Sequence, residues 1–286
     1  MHTFQKSTHP QELTQTLAFI GAGNMAGSII HGLVESGWPA QNIIASEPDN
    51  NKLSVLATTL GIQTTNDNAE AIAKADLVIL AVKPQIMQTV LAPLAPMFQK
   101  FKPLIISIAA GISEQAINRW LGGDMAIVRC MPNTPALLQQ GASGLYANPL
   151  VSPDQKALAE QVMNTVGLSL WVNTEEGIDD VTALSGSAPA YFFLMMEAMI
   201  ATGEKFGVSK EVATQLVTQT ALGAAMMAKT STIDIAELRR QVTSPGGTTE
   251  QAIIAFEQGG LMTLVDTAMT ACKEQAKQLA AQLDKS

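Results

Sequence analysis

The chain has 286 residues, a length that suggests about two domains. Hydrophobic residues make up 47% and charged residues 15%, which excludes a disordered chain and suffices for a sizeable core. With 17 Lys+Arg against 25 Asp+Glu and no basic block, the formal charge of -8 argues against a nucleic-acid binder.

The first fifteen residues are polar and lack an apolar signal core. From there, short apolar runs alternate with helical patterns. Leu17 to Ile20 reads as a strand and Asn24 to Ser36 as a helix. Asn42 to Ser46, Gly61 to Thr64, Asp76 to Val82, Leu104 to Ile108, Met125 to Arg129 and Leu168 to Val172 read as further strands. Helices are expected at Asn51 to Leu60, Ala69 to Lys74 and Gln155 to Thr165. This alternation predicts a doubly wound α/β domain with a parallel sheet covered on both faces.

Beyond Val172 the strand signal stops. Pro189 to Phe206 is apolar on nearly every face, and such a helix needs protein all round it. Helices follow at Lys210 to Lys229, with Ser209 as N-cap, and from Asp234, where Glu237 completes a capping-box spacing. Thr248 to Gln258 and Leu261 to Leu283 complete an all-α C-terminal part. It is small for a helix that wants burial on all sides, so either its own helices wrap that segment or, as is expected here, a second copy of the chain covers it. Met195, Met196, Met199, Met226 and Met227 read as core or subunit contact. The domain expectation is an extension at 1–15, a dinucleotide-binding domain at 16–174 and a helical substrate-binding and dimerisation domain at 175–286.

The cysteines, Cys130 and Cys272, and the histidines, His2, His9 and His31, show neither zinc spacing nor a disulfide framework, so no metal is expected. No apolar run reaches the length of a membrane span before charge or glycine breaks it. A soluble cytoplasmic protein follows as the expectation.

Gly21-Ala22-Gly23-Asn24-Met25-Ala26-Gly27 lies between the first strand and the first helix. The first glycine permits a tight turn, the second lets a pyrophosphate approach, and the helix N-terminus offers N–H groups to that anion. This predicts a dinucleotide site, and a small domain with no second flavin-type signature points to a nicotinamide rather than a flavin. At the end of the second strand, Glu47 would accept from the ribose 2′-OH of NAD and repel the 2′-phosphate of NADP. Ser46 and Lys52 could instead hold that phosphate, so the sequence leaves NAD or NADP open.

Other stretches join this motif. Ala81-Val82-Lys83-Pro84 follows the buried strand at its carboxyl end, where open α/β sheets place ligands. Ser107-Ile-Ala109-Ala110-Gly111 ends a strand with small residues that would admit a flat ring. Arg129-Cys-Met-Pro-Asn133-Thr-Pro135, Leu184-Ser-Gly-Ser-Ala-Pro-Ala-Tyr191 and Ser244-Pro-Gly-Gly-Thr-Thr249 complete the set. Asn133 is a ribose or amide partner or a turn-stabilising side chain. The 244–249 turn is either a helix–helix connection capped by Thr, or a carboxylate site built from the N–H groups of Gly247, Thr248 and Thr249 with the Ser244 hydroxyl.

In order and spacing these stretches resemble the pyrroline-5-carboxylate reductase family from about residue 16 to 283. The resemblance implies a Rossmann domain, an interleaving helical domain, and dimers that can assemble into decamers. It implies reduction of a cyclic imine to L-proline with NAD(P)H. It also implies that the Thr249 hydroxyl lies near the imine nitrogen as proton donor and that Thr248 gives backbone contact to the carboxylate. Glu175 would line the substrate pocket and Asn68 would contact the adenosine ribose. A 3-hydroxyacid dehydrogenase of similar architecture would want a lysine on the first C-terminal helix, which carries Lys205 only at its far end. A non-catalytic nucleotide sensor would be expected to lose the hydroxyl at 249 or the glycine turn, and both are present.

Overall fold

Apolar alternation decides the first half of the chain, and the computed structural model, which describes residues 14–283, shows how. Strands β1 (Leu17–Ile20), β2 (Ile43–Ser46), β3 (Gln63–Thr65), β4 (Leu77–Leu80), β5 (Leu104–Ser107), β6 (Ile127–Met131), β7 (Gly141–Ala147) and β8 (Gly167–Trp171) form one sheet in the order 3-2-1-4-5-6-7-8. The first six are parallel. Leu17, Phe19, Ile43, Ala45, Leu77 and Ile79 point into one core, and Ala18, Ile20, Ile44, Val78 and Leu80 into the other. Side chains two apart share a face, so a strand buried on both faces must be apolar throughout.

The connecting helices are α1 (Asn24–Glu35), α2 (Asn50–Leu60), α3 (Asn68–Lys74), α4 (Met87–Leu91), α5 (Ala95–Phe101), α6 (Glu114–Trp120) and α7 (Pro153–Asn164). Asp67 caps α3 through the Ala69 and Glu70 amides, and Ser152 and Gln155 form a capping box on α7. The expectation of a parallel sheet fails at one seam. β7 runs antiparallel to β6, and β8 then runs parallel to β7.

Past β8 come α8 (Gly177–Val181), a π-turn at Thr182–Gly186, then α9 (Ala188–Lys205), α10 (Lys210–Thr230), α11 (Ile235–Gln241), α12 (Thr248–Gln258) and α13 (Leu261–Leu283). Ser209 caps α10 and Asp234 caps α11 as expected. Glu237 does not complete the expected capping box; its carboxylate takes a 2.7 Å hydrogen bond from Arg240 instead.

The chain divides into two compact units, one running to Gly186 and resuming at Lys273, the other spanning Ser187–Cys272. This contact division falls at 186/187, whereas the expected boundary was 174/175. Segment 177–186 packs with the sheet, with Ile178 and Ala183 buried, and a Cβ on Gly144 of β7 would stand 2.5 Å from the Val181 side chain. The end of α13 also belongs to the first unit, where Leu283 packs on the second core. The expected extension at 1–15, with His2 and His9, lies outside the described residues except for Thr14 and Gln15. Their carbonyls accept from Asn42 and the Trp38 indole, each at 3.2 Å.

In the second unit, α9 and α10 bury only Ala188 and Ala213. Phe192, Phe193, Leu194 and Met199 on α9, and Leu216, Leu222, Met226 and Met227 on α10, are exposed in the single chain. The run Gly177–Lys205, with a mean hydropathy of 1.2, is long and apolar enough to cross a membrane by length and composition. Here the structure departs from the expectation that no segment would meet that test.

Candidate nucleotide and substrate sites

The first site lies at the carboxyl ends of β1 and β4, where the strand order reverses. Gly21 has φ +95, and a Cβ there would stand 2.9 Å from the carbonyl of Ala81. Only glycine fits this crossing of the two strand ends. Its amide donates to the Ser46 carbonyl at 2.8 Å, and the Ala81 amide to the Ile20 carbonyl at 2.9 Å. Gly23 is the N-cap of α1 with no side-chain cap, and a Cβ there would meet nothing within 4 Å. The leading N–H groups of α1, from Asn24 and Met25 onward, thus face open space at the positive end of a 12-residue helix. A dinucleotide pyrophosphate fits this cradle. Ala26 is buried in the core, and Gly27 keeps the next turn open.

Not every expected cofactor residue offers a free group. The Ala22 amide is spent on Glu47 Oε2 at 2.9 Å. Ser46 is buried, and its hydroxyl donates to Asn68 Oδ1 at 2.6 Å, so it braces the loop from behind rather than presenting itself to a phosphate. Asn68 is the first residue of α3 and half-buried, held by that bond. Val82 packs beside Gly21, Lys83 is exposed, and Pro84 opens a 3-10 turn. Ala109 is buried and Ala110 exposed at the end of β5, a shelf of small side chains.

Asn133 takes the turn-stabilising alternative. Its Nδ2 donates to the Ser185 carbonyl at 3.1 Å and its Oδ1 accepts from the Ala142 amide at 2.9 Å. It ties the end of β6 to the π-turn and to β7. Cys130 faces a core, and burial pushes its thiol up to about 12, which leaves it no nucleophilic role at neutral pH.

Glu175, expected at the substrate, is a latch in the first unit. Its Oε1 accepts from Arg129 Nη1 at 2.9 Å and from the Glu114 amide at 2.6 Å. The Arg129 side chain is 7% exposed and that of Glu175 20%, so the pair is largely shielded. Sequence reasoning passed over Arg129; the signal was a lone arginine inside an otherwise apolar strand. Asp179 stands in the same cluster, and burial raises its carboxyl pKa against the pull of Arg129 and Lys277.

The second site is the turn between α11 and α12. Gly246 has φ +73, and its amide donates to Glu250 Oε2 at 2.7 Å. The Gly247 amide closes onto the Ser244 carbonyl at 2.9 Å, so this N–H, expected as an anion donor, is already engaged. The expected alternative of a threonine cap fails as well. Gly247 is the N-cap, with no side-chain cap hydrogen bond, and Thr248 and Thr249 are the first two helical residues. Ser244, Thr248 and Thr249 are exposed. The amides of Thr248 and Thr249 thus lie in the first turn of a helix whose N-cap supplies no side chain, and both threonine side chains are exposed beside them.

Known proteins carry the same architecture. Residues 175–279 match a family model described as pyrroline-5-carboxylate reductase dimerisation, and residues 16–111 match one described as NADP oxidoreductase coenzyme F420-dependent. A pyrroline-5-carboxylate reductase of Pseudomonas aeruginosa is 53% identical over 94% of this chain and 98% of its own length. That of Vibrio alginolyticus is 46% identical over 92% of this chain and 97% of its own. Among solved structures, the pyrroline-5-carboxylate reductase of Coxiella burnetii is 45% identical, with a TM-score of 0.91 covering 93% of this chain and 99% of that one. The Plasmodium falciparum enzyme, solved with NADP bound, is 29% identical, with a TM-score of 0.81 over 93% of this chain and 98% of its own. The chain belongs to the pyrroline-5-carboxylate reductase family.

Proposed function

We propose that this chain reduces L-1-pyrroline-5-carboxylate to L-proline with NAD(P)H, the last step of proline synthesis. The observation that carries the reading is the uncapped start of α12, where exposed Thr248 and Thr249 follow the Gly246-Gly247 turn. A small ring with one carboxylate and one C=N bond suits such a place. The amides of Thr248 and Thr249 hold the carboxylate at the helix N-terminus, and the Ser244 hydroxyl adds a hydrogen bond. The Thr249 hydroxyl donates to the imine nitrogen, which makes the neighbouring carbon a better electrophile and steadies nitrogen as the bond reduces.

When bound, the reduced nicotinamide supplies the hydride. The α1 N-terminus and Gly23 take its pyrophosphate, and Ala109 and Ala110 leave room for a flat ring. Asn68 and Lys83 are the proposed polar neighbours of its ribose groups. Glu175, Asn133 and Ser46 serve this site as positioning residues through the hydrogen bonds described above.

The family model over 175–279 is one of dimerisation, and the exposed apolar faces of α9 and α10 support self-association. We take a homodimer as the smallest working form, with decamers as a further level, acting in the cytoplasm on a small-molecule substrate. The test of the reading is oxidation of NADH and NADPH by the purified chain with pyrroline-5-carboxylate, with the product identified by chromatography. Proline is the expected product. Coenzyme oxidation without proline, or no oxidation with either coenzyme, rejects the reading.

A further inference from the structure

We propose that Glu47 selects the coenzyme and sets this chain to prefer NADH over NADPH; the proposal rests on the nicotinamide-dependent reading above. Glu47 follows directly on β2, beyond the carboxyl end of the sheet, where the adenosine ribose of a bound dinucleotide lies. It is fixed there from three sides. Its Oε2 accepts from the Ala22 amide at 2.9 Å, its own amide donates to the Thr65 carbonyl at 3.3 Å, and its carbonyl accepts from Asn66 Nδ2 at 2.8 Å. A carboxylate held in this position can accept a hydrogen bond from a ribose 2′-OH and repels a 2′-phosphate.

The groups that could hold that phosphate already have partners. The Ser46 side chain is buried and bonded to Asn68. The Lys52 ammonium, on a half-exposed side chain, lies 3.7 Å from Glu47 Oε1 and is drawn toward that carboxylate. Asp49, which caps α2 through the Asn51 amide, adds a second negative charge to the same loop. Arginine, whose planar fork suits a phosphate, is absent from this part of the chain: the first in the sequence is Arg119.

The test pairs calorimetric titration of the full-length protein with AMP and with 2′,5′-ADP against kcat/KM for NADH and NADPH. The wild-type chain is expected to bind AMP at least as tightly as 2′,5′-ADP and to use NADH with the higher kcat/KM. Glu47→Gln keeps an oxygen for the Ala22 amide and removes the charge. It is expected to shift both ratios toward the 2′-phosphate by about tenfold or more. Tighter binding of 2′,5′-ADP by the wild type, or ratios that Glu47→Gln leaves in place, overturns the proposal. Should the nucleotides bind in the expected order while neither coenzyme is oxidised with pyrroline-5-carboxylate, the assigned reaction fails and the role of Glu47 stands.

Discussion

Thr249 is the second residue of α12, and because Gly247 rather than a side chain starts that helix, the threonine hydroxyl is not consumed as a cap. In the proposed reaction, a hydrogen bond from it to the imine nitrogen would gain strength as charge changes there, so its loss would fall on turnover more than on binding. Thr249→Ala is expected to lower kcat about a hundredfold. The dissociation constant for the coenzyme should stay within about twofold, since no ground-state contact to it is removed. Thr249→Ser, which restores the hydroxyl, should recover most of the rate. Stopped-flow hydride transfer with each variant checks this, and an unchanged rate in Thr249→Ala removes the residue from the chemistry. Gly21 makes the complementary point about backbone. Its φ of +95 and the 2.9 Å approach of the Ala81 carbonyl leave no room for a side chain, so the residue is required by its lack of one.

Among the elements, β6 is tied to its surroundings by side chains at its middle and just past its end. Arg129 at its middle pairs with Glu175, and Asn133 just after it binds Ser185 and Ala142, so the strand end, the α6 start and the 175–186 segment form one block. Glu175→Gln should destabilise the chain by about 3 kcal/mol, because it strands a buried guanidinium. Arg129→Met combined with Glu175→Gln should recover much of that loss, which chemical unfolding of the single and double variants measures. Additive losses would show that the two groups do not act as a pair.

The same region marks where the sequence stops being readable. β1, β2, β4 and β5 are short runs of apolar side chains, and their burial on both faces leaves no other pattern. β7, Gly141–Ala147, has small residues and no β-branched one, so propensity gives no strand signal. It forms because the β6 edge needs a partner and because glycine allows the approach; a Cβ on Gly167 of β8 would stand 2.1 Å from the Gly141 carbonyl. At the nucleotide site, the glycine turn was legible because it is local. The engagement of Ala22 by Glu47 and of Ser46 by Asn68 was not, since residues 25 and 22 apart meet only in the folded sheet.

For the molecule as a whole, the decisive feature is the apolar surface of the helical unit. Phe192 is 65% and Phe193 63% exposed in the single chain, and α10 adds Leu216 and Met227 at 61% and 57%. Soluble monomers rarely leave a contiguous apolar patch of more than a few hundred Å² uncovered. A bilayer and a second copy are the two covers on offer, and Glu197 separates them. It is an exposed carboxylate midway along α9, and a charge at the centre of a membrane helix costs about 3 kcal/mol. At the margin of a protein interface it can stay in water. Sedimentation of the purified chain without detergent should therefore give a dimer or a multiple of it at about micromolar concentration, with a Tm that rises with concentration. Phe193→Asp should shift the chain toward monomer and lower Tm, because it places a charge in the apolar core of the interface. A wild-type chain that sediments as a stable monomer, or one that leaves the membrane fraction only in detergent, would refute the assignment of this face to self-association.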